Sequence, residues 1–239
     1  MFSPMARMAF QAPLSPMDWD FLLRQADMPS EQELQGDYLL GLSVGQGLQP
    51  SGIAVLERLA PSRPGEPRSY ACRYLRRLRA PATTYPSLVS ELRDMLCDTR
   101  LTDGDLIVEA GPSVKAVVAL LRKHRLRARI RPVELRISAE DDFIDGLWRV
   151  TKASVIETTR QVLQEDRLVF DDQMPPEVMA TTPSAQTIYQ ALSTYPYNKT
   201  PSANDAFASR EGADDDLILA VALACWFGEC CRREFWIRC

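Results

Sequence analysis

Three aspartates, Asp214-Asp215-Asp216, open directly onto the unbroken apolar run Leu217-Ile218-Leu219-Ala220-Val221-Ala222-Leu223-Ala224-Cys225-Trp226. An Ala/Leu-rich segment that is apolar all round is a helix only if other elements enclose it, so a buried helix is predicted from about Asp215 to Arg232. Acids at its start are favoured by the helix dipole and cap free backbone N–H groups. One cap needs one acid. Three in succession exceed that need, and carboxylates at the mouth of a packed helix are a common way of presenting ligands to a divalent cation.

The 239 residues, 46% hydrophobic and 25% charged, suit one main domain of an ordinary globular protein. No apolar run is long enough to span a bilayer, and residues 1–16 lack the basic-then-apolar order of a secretory signal, so no membrane partner and a cytoplasmic location are expected. The six cysteines are scattered, a poor framework for disulfides or zinc. The single histidine, His124, leaves little for Ser-His-Asp or Cys-His chemistry and reads as surface. The net charge of −4 argues against a uniformly basic coat. Yet Arg73, Arg76, Arg77 and Arg79 form one basic group, and Arg122, Lys123, Arg125, Arg127, Arg129 and Arg131 another. Screening confines charge effects to about 10 Å at moderate salt, so a local patch can bind phosphate despite an acidic total. The second group is either a nucleic-acid face or a solvated helix end followed by an edge strand.

Residues 1–36, rich in Pro, Met and Gln with a helix-like piece at 17–26, read as an extension or linker before a domain at 37–239. A strand at 38–44, a turn at 45–50 and a strand at 52–58 make a hairpin, and 69–79 adds a third, half-buried strand. Helical spacing follows at 85–97, a continuous apolar strand at 105–110, a helix at 114–123 and a strand at 128–135. Beyond lie a helix at 152–164, a short strand at 167–170, a helix at 183–195 and a polar loop at 196–212. Asp141, Asp142 and Asp145 read as a solvated loop. The order βββαβαβ implies an α/β fold with a mixed sheet and helices on both faces.

Three segments in this order resemble the nuclease domain of phage terminase large subunits, a ribonuclease H-like fold: Gly41-Leu42-Ser43-Val44-Gly45-Gln46 with Pro50 to Arg58, Leu106-Ile107-Val108-Glu109-Ala110-Gly111, and Asp215-Asp216-Leu217 with its helix. Trp148 to Lys152, with the helix to Leu168, also looks like that family, and the likeness spans roughly 38 to 232. The resemblance implies a metal-dependent DNA endonuclease of viral DNA processing. Its acids would hold two Mg²⁺ or Mn²⁺ ions about 4 Å apart. Carboxylate oxygens suit such hard cations. On this reading Glu109, Asp215 and Asp216 are the catalytic acids, with Glu109 and Asp216 on the metal.

The family's first-strand Asp is here Ser43, and Gln49 stands where a second acid is usual. A hydroxyl cannot replace a carboxylate as a bridge between two cations. Asp37 and Glu57 are candidate substitutes by proximity in sequence. Lys152 is a candidate for a phosphate near the acids, against a solvated helix-start lysine, and Arg122, Lys123 and Arg125 for DNA. No segment fits the phosphate loop G-x-x-x-x-G-K-[ST], so a detached domain, prophage-derived or working with a separate ATPase motor or portal-type protein, is expected. Two functions stay open: a weakened endonuclease, or a catalytically inactive ribonuclease H-like domain that binds DNA or a partner protein.

Overall fold

The computed structural model describes residues 38–45, 50–61, 63, 66–78, 85–109, 111–136, 141–144, 146–170, 185–194 and 215–230. The segment 1–36, Asp37, Gln49, Arg79, Asp145, the stretch 196–212, Asp214 and the tail after Cys230 lie outside the described residues. The strands are β1 (Tyr38–Ser43), β2 (Ser51–Leu59), β3 (Ser69–Leu78), β4 (Gly104–Glu109), β5 (Ala128–Arg136), β6 (Asp142–Ile144), β7 (Leu147–Thr151) and β8 (Leu168–Phe170). The helices are α1 (Tyr85–Met95), α2 (Val114–Lys123), α3 (Lys152–Gln164), α4 (Ala185–Thr194) and α5 (Asp215–Cys230).

All eight strands form one sheet in the order β6-β7-β5-β4-β1-β2-β3-β8. The meander β1-β2-β3 is antiparallel, whereas β4 lies parallel to β1 and β5 parallel to β4. This is the mixed sheet expected from the order of elements. Alternation sorts the side chains of the central strands between two cores. Leu40, Leu42, Leu106 and Val108 meet Leu88 and Leu92 of α1 and Val117 and Leu121 of α2. Leu39, Ala54, Ile107 and Val133 meet α5 together with Val155 and Ile156 of α3 and Ile188 of α4. Enclosed by the sheet on one side and by α3 and α4 on the other, α5 is buried from Leu217 through Phe227. No helix among the described residues is long and apolar enough to cross a membrane.

Helix α5 lies unusually low on the sheet. A Cβ at Gly41 would fall on the carbonyl oxygen of Ala220, and one at Gly52 on that of Asp216. Both ends of the helix are pinned by ion pairs. Asp216 in the first turn accepts from Arg77 of β3, and Glu229 in the last accepts from Arg167 and from the Tyr70 hydroxyl.

Two strands correct the sequence reading. Asp142 is not in a solvated loop: it opens β6, which pairs antiparallel with β7. Asp141 also has structural work, accepting from the Thr151 N–H at 3.1 Å and the Ser154 hydroxyl at 2.8 Å at the start of α3. The sequence Asp145-Gly146 between them, with Gly146 at φ +75°, is the Asp-Gly type of hairpin signal. It was hidden by strands of three and five residues, too short to show a period of two. With β7 and β6 beyond it, β5 is an interior strand and not the edge strand of the alternative reading.

Candidate functional site

The centre of the sheet brings together residues that are distant in sequence. Because β1 and β4 are parallel neighbours, Ser43 pairs in register with Glu109, and Gly52 of β2 stands on the other side of Ser43. Ser43 shares a face with Leu39 and Gly41, and Glu109 with Ile107, so both point towards α5. The first turn of that helix rests on Gly52. The strand ends therefore meet the helix mouth, and the polar group at each strand end is directed to the same pocket.

The oxygens of this pocket each have a distinct environment. Ser43 is buried. Glu109 Oε1 accepts the Gly111 N–H at 2.6 Å. Burial pushes its carboxyl above the usual range and nearby Asp215 adds to this, while the Gly111 N–H and the Lys152 ammonium pull the other way. Lys152 is the first residue of α3, whose start is fixed by Thr151 Oγ1 accepting the Ser154 N–H at 3.0 Å. Its Nζ lies 3.1 Å from Asp215 Oδ2. Asp216 turns the opposite way and receives Nε and Nη2 of Arg77 at 2.8 to 3.1 Å.

The two aspartates read together as a pair are thus separated in role. Asp215 joins Glu109 and Lys152, whereas Asp216 ties the helix to β3. Lys152 stands with the acids, as its candidacy for a phosphate requires. Arg122, Lys123 and Arg125 do not. They close α2 at the end of the sheet where β4 begins, and Asp103, just before β4, donates its N–H to the Arg127 carbonyl at 3.0 Å. Glu57 is no substitute acid for Ser43, since it pairs with Tyr38 at the opposite end of the hairpin and its carboxylate holds Arg73 at 2.7 Å.

Among the described residues no three His, Cys, Asp or Glu side chains gather as ligands for one cation. The donor type, oxygen throughout, matches Mg²⁺ or Mn²⁺. The arrangement does not match a two-ion centre, because the position between Glu109 and the helix mouth carries a hydroxyl and Arg77 occupies Asp216. What these residues offer chemically is a buried carboxyl, an ammonium and a carboxylate open to solvent on one side.

Two features escaped the sequence. Arg77 as the partner of Asp216 depends on the register of β2 with β3, which shifts between Val55 and Leu56, and no local pattern reports a bulge of that kind. The second is Asp105, a buried carboxylate held by Arg129 at 3.0 Å and Arg131 at 2.8 Å with Arg58 at 4.0 Å. An acid opening an otherwise apolar strand was the signal for it.

No protein-family model matches the sequence, and no curated protein matches it. Among solved structures the chain is similar to the large terminase nuclease from thermophilic phage G20c, at 17% identity over 80% of this chain and 81% of that one, with a TM-score of 0.48. It is also similar to the large terminase nuclease domain from bacteriophage SPP1 with bound Mn, at 14% identity over 84% of this chain and 92% of that one, with a TM-score of 0.43.

Proposed function

We propose that this chain is a terminase-like, ribonuclease H-like domain that engages DNA at the Glu109 end of its sheet and has lost efficient phosphodiester hydrolysis. The observation that carries the reading is Ser43 beside Glu109, under the first turn of α5. A carboxylate there would give a third acid facing the same pocket. A hydroxyl brings no charge and cannot bridge two divalent ions, so the term such ions supply to a phosphoryl transition state is missing. Lys152 remains as a cation through which a phosphate would be held. A separate ATPase motor or portal-type protein is the partner this reading implies.

A second reading, a weak Mg²⁺- or Mn²⁺-dependent endonuclease, is favoured by the convergence of the Glu109 and Asp215 carboxyls with the Lys152 ammonium at one end of the sheet, oxygen donors for a hard cation beside a positive charge for phosphate. In it, Glu109 and Asp216 hold metal and Asp215 assists. Plasmid cleavage in Mg²⁺ or Mn²⁺, with duplex binding measured alongside, decides between them. The main reading expects the wild type to bind DNA and cleave no faster than Glu109→Gln, and Ser43→Asp to gain on the order of 100-fold. Cleavage by the wild type that Glu109→Gln abolishes would establish the second reading. A Ser43→Asp protein that folds and binds DNA but stays inert would show that Ser43 does not occupy a ligand position.

A further inference from the structure

We propose that the turn joining α2 to β5 is a second, sequence-independent DNA-backbone surface, separated from the acidic pocket by the length of the sheet. The inference rests on the reading of the chain as a DNA-engaging domain, and it locates a binding surface outside the pocket. Arg122, Lys123, Arg125 and Arg127 are all exposed. Among the described residues none of the four has an ion-pair partner. Arg122 and Lys123 in the last turn of α2 complement the helix dipole, which is reason enough for those two. It does not account for Arg125, Arg127 and Arg129, which continue the positive charge past the helix and into β5.

Arg129 is the most telling member. Its Nε and Nη2 are fixed on Asp105 at 3.1 and 3.0 Å, yet its side chain keeps 46% of its exposure. A guanidinium already held in place loses less freedom on meeting a phosphate than a free one. Arg129 and Arg131 alternate onto one face of β5, about 6.6 Å apart, and continue the charge beyond the turn. The turn itself lies where β4 begins, and the six residues of β4 put roughly 17 Å between it and Glu109. The surface therefore meets DNA that the pocket does not hold, and the two are separable by substitution. Nothing in the arrangement reads bases, so the binding is to phosphates of any sequence.

The test uses the full chain and a random-sequence duplex several helical turns long, with affinity measured by fluorescence anisotropy over a range of salt. Replacing Arg122, Lys123 and Arg125 together by Gln is expected to weaken binding at least tenfold. The slope of log K against log salt should fall by about 2 to 3, close to one unit for each phosphate no longer neutralised. The charge-retaining combination Arg122→Lys, Lys123→Arg and Arg125→Lys should keep affinity and slope. Wild-type affinity and slope in the Gln variant would overturn the proposal. If Lys152→Gln alone weakened binding, the pocket would be the DNA site and only this second surface would fall. A wild type that binds no duplex would remove the functional reading itself. Loss of binding to phosphatidylserine vesicles by the Gln variant, with duplex binding intact, would assign the patch to an anionic membrane and equally overturn it.

Discussion

Arg77 and Asp216 form a two-pronged ion pair whose side chains keep 19% and 9% of their exposure. Taking one member away strands the other in a site built to be neutral, which costs more than the pair itself contributes. Asp216→Ala should therefore lower stability by about 3 kcal/mol in urea denaturation, Arg77→Ala by a similar amount, and the double variant by less than the sum. Glu109 behaves oppositely. Burial raises its carboxyl above the ordinary 4.5, so the folded chain binds this proton more tightly than the unfolded one. Its contribution is fully present below that ordinary value and is lost as pH rises through the elevated folded value. Glu109→Gln, neutral throughout, should melt about 2 to 4 °C higher than wild type at pH 7, with the advantage vanishing towards pH 4 in a thermal series. The sequence marked Glu109 because an acid ending an apolar strand needs partners. It could not show that Asp215 and Asp216 part company, since adjacent residues at a helix start point in different directions and only the packed sheet decides what each one meets.

The placement of α5 depends on two strand positions without side chains. At Gly41 and Gly52 the helix backbone occupies the space of a Cβ, and a carbonyl oxygen cannot give way as a flexible side chain can. Gly41→Ala should cost at least about 3 kcal/mol, at the upper end of overpacking effects, measured by chemical denaturation. Gly52→Ala acts at the helix mouth itself and should also disturb the pocket. The helices announced themselves through periodicity: α2 and α3 span the residues that spacing predicted, and α5 was unmistakable from its composition. β6 and β7 did not, because three and five residues leave no period to detect and β7 runs straight into α3. The apolar character of α5 was readable, but its cause was not, since only the assembled layers show that sheet, α3 and α4 enclose it.

Across the molecule, charge is sorted by the direction of the strands. Ser43, Glu109, Lys152, Asp215 and Asp216 collect where β1 and β4 end, and Arg122, Lys123, Arg125 and Arg127 collect where β4 begins. The βββαβαβ order was sufficient to predict a mixed sheet covered on both faces, and the parallel pairing of β1 with β4 follows once the chain crosses over through α1. Which end each charged group occupies follows only after the strand directions are known, so the sequence could not show that Arg122, Lys123 and Arg125 stand at the opposite end of the sheet from Asp215 and Asp216. Because the side chains of Arg122, Lys123 and Arg125 are exposed and belong to neither core, the Arg122/Lys123/Arg125 Gln variant should lose no more than about 1 to 2 kcal/mol of stability, the helix-dipole contribution, while its DNA affinity falls. The claim on which the functional account turns is that a single hydroxyl at the end of β1 keeps this pocket from being a metal centre. Calorimetric titration with Mn²⁺ tests it most directly: the Ser43→Asp protein should take up Mn²⁺ where the wild type does not, with the heat abolished by adding Glu109→Ala. Equal uptake by wild type and Ser43→Asp, whether two ions or none, would contradict it.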